Sequence, residues 1–377
     1  MVNPFVTKGY AGPEYFCDRE KETRDLVQLL VNENNMALIS ERRLGKTDLI
    51  HHCFNQPEIK NKYYTFIVDI YATNSLSDFV DVFGQVIFET LKPFGRKVWE
   101  RFYKVLRSVQ QQISFDINGN PVWGIGLGTY VNPTTTLDEI FSYLHFADKP
   151  CIVAIDEFQK ITEYPDGQNV EAVLRTHIQR CPNAVFLFSG SKRHLMTEIF
   201  LSPARPFYQS VITMGLKPIP EEKYILFAEK QFSQFGKKVD SEVVHQVYSR
   251  FDGITFCLQR VMNVLFLSTD HNGVCTVGMI DDAVNYILDL NTEHYKMLFS
   301  QLSEKQRKVF LAIASEKKVK EISGGKFVHR YHLPSVSSVV SATRGLLEKD
   351  FVTKDDDGFY VYDHFFLLWL EKNGHIG

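Results

Sequence analysis

No apolar run in this 377-residue chain reaches the ~18–20 residues that a membrane-crossing helix needs, so no membrane span is expected. Cysteine is sparse. Six residues (Cys17, Cys53, Cys151, Cys181, Cys257 and Cys275) lie far apart, and no CxxC pair exists. That spacing argues against a zinc site and against a disulfide framework. Free, buried thiols in a reducing compartment are the expectation. Charge of one sign is also lacking: the formal net charge is −3 and the sequence pI about 6.5. Nothing in that balance draws the whole molecule to nucleic acid or to an anionic membrane. The opening MVNPFVTKGYAGPEYF has no apolar signal-peptide core, and the expected location is cytoplasmic. Internal repeats and low-complexity tracts are absent. What is present is 44% hydrophobic and 23% charged residues, enough to bury real cores, in a length that suggests two or three domains.

Three zones follow one another. In residues 1–216, short apolar runs alternate with helical patterns. The runs are Met36–Ile39, Tyr64–Ile70, Cys151–Ile155, Ala184–Phe188 and Ser210–Met214. Such alternation predicts an α/β layer with a parallel sheet covered on both faces. Residues 113–131 break it. Asn118-Gly119-Asn120-Pro121, flanked by alternating residues, predicts an inserted β-hairpin. Residues 217–301 carry helical periodicity almost throughout, with turn signals at Phe235-Gly236, Asp252-Gly253 and Asn272-Gly273. A helical bundle of about four helices is expected there. In residues 302–377, Ser303 with Gln306 forms a capping-box pattern. A second helix over Ser335–Lys349 and a hairpin around Asp355-Asp356-Asp357-Gly358 then predict a winged helix.

The chemistry concentrates in two motifs. Ser40-Glu41-Arg42-Arg43-Leu44-Gly45-Lys46-Thr47 follows an apolar strand and opens a helix that continues with Asp48. It matches GxxxxGK(S/T) except that Ser40 replaces the first glycine. Binding phosphate this way needs backbone N–H groups turned into one concavity with a helix N-terminus behind them. Gly45 permits close backbone approach, Lys46 brings a point charge to the β and γ phosphates, and Thr47 offers a hydroxyl to Mg²⁺. The second motif, Cys151-Ile152-Val153-Ala154-Ile155-Asp156-Glu157, lies 110 residues beyond Lys46 when counted to Asp156. A buried strand there delivers Asp156 to the metal shell and Glu157 to the attacking water as base. Ser189 or Ser191, at the end of the Ala184–Phe188 run, can sense the γ-phosphate. Arg193 or Arg205 can meet charge developing on the transferred phosphoryl group. No guanine-reading NKxD pattern follows the later strands, so the expected ligands are ATP and Mg²⁺ rather than GTP.

Taken together, Tyr15-Phe16-Cys17-Asp18-Arg19-Glu20-Lys21-Glu22, SERRLGKTDLI, VAIDEFQKI, FLFSGSKRHLM, ARPFYQS and the closing YDHFFLLWL resemble the archaeal-type ATPases. These form part of the STAND branch of the AAA+-like P-loop NTPases. The resemblance runs over nearly the whole chain. It implies a P-loop NTPase core with a parallel sheet, a helical lid and a C-terminal winged helix, with ATP and Mg²⁺ at Lys46, Thr47 and Asp156. It also implies that the Phe16…Arg19-Glu20 segment lies beside the base, and that the protein is a signalling or defence switch.

For the winged helix, DNA binding requires Lys and Arg opposite phosphates. Residues 335–349 hold Arg344 and Lys349 offset by Glu348, and the wing tip is acidic. Lys317, Lys318, Lys320, Lys326, His329 and Arg330 precede that helix as a modest basic stretch. A protein partner or packing on the lid is therefore expected. DNA is possible but not favoured, and a homo-oligomer stays open. His51-His52 cannot share a helix face, so they make a poor metal pair. Phe141, Tyr143, Leu144 and Phe146 are expected in the core.

Overall fold

The computed structural model describes residues 3–91, 113–115, 121–123, 133–355 and 357–376. The chain forms two compact units, Lys8–Lys223 and Met1–Thr7 with Tyr224–Gly377.

In the first unit the order is α1 (Glu20–Val31), β1 (Met36–Ile39), α2 (Lys46–Phe54), α3 (Pro57–Lys60), β2 (Tyr64–Asp69) and α4 (Leu76–Leu91). After them come β3 (Ile113–Phe115), β4 (Pro121–Trp123), α5 (Pro133–His145), β5 (Cys151–Asp156), α6 (Gly167–Gln179), β6 (Ala184–Gly190), α7 (Arg193–Leu201) and β7 (Ile212–Met214). Five strands make one parallel sheet in the order β2-β5-β6-β1-β7. Every residue of β5 and β6 is buried, which is why both read as unbroken apolar runs. One face of the sheet packs a core of Phe66, Phe83, Phe158, Phe186, Phe188 and Phe200. The other packs Leu26, Leu30, Leu38, Leu49, Ile152 and Leu187. The expected hairpin appears as antiparallel β3 and β4, with Phe115 opposite Pro121. Its turn and residues 124–131 lie outside the described residues. Phe141 and Leu144 are buried as expected, but Phe146 is 73% exposed, because α5 ends at His145 and the ring falls past the packed face.

The second unit contains four helices of the expected zone: α8 (Glu221–Gln234, whose first turn belongs to the other unit), α9 (Ser241–Arg250), α10 (Thr255–Ser268) and α11 (Ile280–Ser300). Gly236, Asp252 and Gly253 take the left-handed backbone that their turns need. A two-stranded parallel ribbon, β8 (Lys238–Val239) and β9 (Val274–Cys275), ties their loops. Phe5 joins this unit, packed by Phe227, Phe232 and Phe266. The chain continues through α12 (Glu304–Glu316), β10 (Lys318–Val319), α13 (Gly325–Arg330), α14 (Val336–Glu348), β11 (Val352–Lys354), β12 (Phe359–Val361) and α15 (His364–Lys372). Ser303 and Gln306 close the capping box that opens α12. The three strands pair antiparallel in the order β10-β12-β11. Tyr295 of α11 stacks on Phe366 of α15 at 5.2 Å, and Lys372 pairs with Asp289, so the winged helix packs on the helical bundle.

All six cysteines are buried and free. Among the described residues, no helix is long and apolar enough to cross a membrane.

Candidate functional site

Parallel strands bring their C-terminal ends to one sheet edge, where ligands of open α/β sheets bind. Here β1 and β5 flank β6, with Leu38 opposite Ser189 and Ile155 opposite Phe188. The loop that follows β1, the Asp156 end of β5 and the Ser189 end of β6 therefore meet.

The loop turns at Arg43 (φ 68°) and at Gly45 (φ 84°), which caps α2. A Cβ added at Gly45 would meet nothing within 4 Å, so only the backbone angle demands glycine there. Ser40 does not adopt positive φ. The position that departs from the glycine pattern thus costs no backbone strain. Its hydroxyl donates to the Glu41 carbonyl at 3.2 Å. The Lys46 ammonium folds back into the loop and donates to the carbonyls of Ser40 (3.1 Å) and Glu41 (2.7 Å). Burial pushes the Lys46 amine down to about 8, against the opposing pull of Glu157 and Asp156. Leu44 of the loop is buried. Asp48, in the first turn of α2, has its carboxyl raised by burial and partly restored by His51.

Thr47 donates its hydroxyl to Asp156 Oδ2 at 2.8 Å. Ser189 donates to Asp156 Oδ1 at 2.5 Å, and the Glu157 amide donates to the same oxygen at 3.0 Å. Ser191 donates instead to Glu157 Oε2 at 2.7 Å. The two serines therefore divide the two carboxylates between them. Arg42 reaches out of the loop, and its Nε donates to Ser191 Oγ at 2.6 Å. Arg19, 3% exposed, donates to Glu22 and, at 3.3 Å, to the Leu44 carbonyl, which ties the start of α1 to the loop. Beside it, Phe16 stacks on His52 at 4.2 Å, and Tyr10 hydrogen-bonds His52 Nδ1 at 2.9 Å. The Tyr10 ring also lies parallel to His51 at 6.3 Å, so both histidines pack against the N-terminal segment. No cluster of three or more His, Cys, Asp or Glu side chains that could by itself hold a metal occurs among the described residues.

Arg205 does not join this network. Its guanidinium pairs with the buried Glu171 and, at 3.2 Å, with Glu198. Burial raises the Glu171 carboxyl to about 7, with Arg205 pulling it back only in part. Arg193 opens α7 with its side chain exposed. One participant escaped the sequence reading. Gln159, 3% exposed on the 3₁₀ turn Phe158–Glu163, donates from Nε2 to Glu157 Oε2 at 2.5 Å. The DEFQ wording was the only signal available for it.

A buried ammonium on loop carbonyls, a left-handed glycine at a helix start, and a hydroxyl–carboxylate pair form a donor set suited to a magnesium-bound triphosphate. Lys46 and the loop amides fit the phosphates, while Thr47 and Asp156 fit the metal.

Residues 293–372 match a family described as "Probable winged helix domain", a span that begins inside α11. No curated protein matches the sequence. Several solved structures share the fold. The Walker-type ATPase PABY2304 of Pyrococcus abyssi superposes with a TM-score of 0.64 at 16% identity, over 98% of this chain and 99% of that one. The Aeropyrum pernix ORC2 protein, in ADPNP–ADP complexes, gives 0.60 at 12% identity over 98% and 96%. The Aeropyrum pernix ORC1 protein in complex with DNA gives 0.52 at 11% identity over 96% and 94%. At these identities the likeness establishes the fold: a P-loop ATPase-type parallel α/β core followed by a C-terminal winged helix.

Proposed function

We propose that this protein is an Mg²⁺-dependent ATPase of slow turnover that uses nucleotide state as a conformational switch. The observation that carries the reading is the 2.8 Å contact between Thr47 and Asp156, which joins the phosphate-type loop to the acidic strand end. Lys46 and the amides around Gly45 bind the β and γ phosphates. Magnesium, when held by Thr47 and Asp156, neutralises charge on the phosphate oxygens. Glu157 orients and deprotonates the attacking water, and Ser189 senses the γ-phosphate through Asp156. Arg19 braces the loop beside the base. The working parts are an ATPase core (1–216), a helical lid (217–301) and a winged helix (302–377). The fold shared with a Walker-type ATPase and with nucleotide-bound ORC2 supports this reading. So does the resemblance to archaeal-type ATPases, whose signalling or defence role is the biological setting proposed here.

The pairing of Arg205 with Glu171 favours a structural role for that arginine, so any arginine acting on the phosphoryl group comes from another position or another subunit. The test is ATP affinity and phosphate release in the full chain. Lys46→Ala abolishes nucleotide binding, and Glu157→Gln keeps binding but lowers turnover by about 10²–10⁴-fold, the usual worth of a general base. Unchanged ATP affinity in Lys46→Ala sinks the site assignment. Binding that depends on Lys46 but brings no phosphate release above background leaves a nucleotide-gated scaffold instead of an enzyme.

A further inference from the structure

Glu157 is held more elaborately than a water-activating carboxylate at a strand end requires. Two donors converge on one of its oxygens, Oε2: Ser191 Oγ at 2.7 Å and Gln159 Nε2 at 2.5 Å. They also approach each other, with Gln159 Nε2 3.5 Å from Ser191 Oγ. Ser191 in turn accepts from Arg42 Nε at 2.6 Å, and Arg42 belongs to the phosphate loop. Gln159 is 3% exposed, and its other amide atom, Oε1, is buried without a partner among the described residues. The polar contacts of this side chain among the described residues are therefore those of its nitrogen, to Glu157 and Ser191.

The room for that amide is specific. A methyl group at Gly190 would lie 2.2 Å from Gln159 Oε1 and 2.5 Å from Met196 Sδ. Gly190 has no positive φ, so the backbone does not demand glycine there; the space for Gln159 and Met196 does. Sequence separation hides the arrangement, because Gln159 follows β5 while Gly190 ends β6 and Ser191 comes just after it.

We infer that Gln159 and Ser191 are positioning residues that clamp Oε2 of Glu157 and so present its Oε1 to the attacking water, with Arg42 linking the clamp to the phosphate loop. This rests on the ATPase reading above. Neither donor needs to touch nucleotide. Their effect passes through the orientation of Glu157, where a displacement of a fraction of an ångström matters to turnover. Binding draws on the loop and Lys46 and is left intact.

The test uses the full chain and four variants: Gln159→Met, which keeps the volume and removes the N–H; Ser191→Ala; Glu157→Gln; and the double variant Gln159→Met with Glu157→Gln. Mg-ATP affinity and single-turnover hydrolysis are measured for each. Gln159→Met and Ser191→Ala are expected each to lower the hydrolysis rate by about tenfold, a part of a general base's worth, with ATP affinity within about twofold of wild type. Adding Gln159→Met to Glu157→Gln is expected to cost nothing further, since both act through one carboxylate. An unchanged or faster rate in both single variants overturns the inference. So does a Gln159→Met loss of equal size in both backgrounds, which marks a packing role. If the wild-type chain shows no Lys46-dependent hydrolysis, the ATPase reading itself fails. Lys46-dependent hydrolysis with an indifferent Gln159 sinks the clamp alone.

Discussion

A buried carboxyl outside the site illustrates how single residues record their surroundings. Glu171 is fully buried on α6 and faces Arg205, yet burial raises its carboxyl to about 7 from an ordinary 4.5. Between those two values the folded chain holds a proton that the unfolded chain has released. Linkage then requires that this group's contribution to stability fall as pH rises from about 4.5 to 7, and stay lost above that. Other carboxylates carry slopes of their own, so the informative quantity is a difference. Glu171→Gln keeps an acceptor for Arg205 and removes the titration. Its stability relative to wild type, from urea unfolding midpoints, is expected to improve steadily from pH 5 to pH 7.5. A difference that stays flat across that window would show that Glu171 is ionised throughout. The same pair explains why Arg205 looked available in the sequence. Its partner lies 34 residues earlier, and no local pattern announces a contact across that distance.

At the scale of elements, β6 does the most to place the site, since it lies between the loop-bearing strand and the Asp156 strand. Phe188 anchors it, buried and in ring contact with Phe158, Phe200 and Phe207. Phe188→Ala is expected to cost about 3–5 kcal/mol, as large-to-small changes in aromatic cores do. Phe146→Ala, at an exposed ring, is expected to stay within about 0.5 kcal/mol. Thermal or urea unfolding of the two variants checks the contrast; a comparable loss in both would mean that Phe146 is covered in solution. β5 and β6 are legible because strands buried on both faces write themselves as short apolar runs. The phosphate-type loop and the Asp156-Glu157 end were legible because each is contiguous. Other features were not. β10 has two residues and α13 six, too few for any period to show, so the basic stretch from Lys317 to Arg330 concealed a strand and a helix. The exposure of Phe146 depends on where α5 stops. The role of Gln159 depends on Gly190 and Ser191, a chain segment that only the fold brings near.

For the molecule as a whole, the open question is what the winged helix meets. Winged helices can read duplex DNA, so duplex binding is the rival to a protein partner. The local charges favour the protein. Lys318 is paired with Asp355 at 2.6 Å, and Arg330 with Glu316 at 2.6 Å, so two of the cations that precede α14 already have acidic partners within the domain. The outward face of α14 offers Ser337, Val340, Ser341 and Arg344, with a single cation among them. A DNA reader making roughly 6–10 phosphate contacts loses about 10³–10⁵ in affinity between 50 and 200 mM salt. This chain is expected to bind duplex weakly and to lose about tenfold or less over that range, as one or two contacts would. Fluorescence anisotropy of a labelled duplex, titrated with the full chain in Mg-ATP at several salt concentrations, measures the slope. A steep slope would mean that Lys318 and Arg330 exchange their acidic partners for phosphates. The nucleotide cycle would then be directed at DNA, and the winged helix would be its reader rather than a surface for another protein.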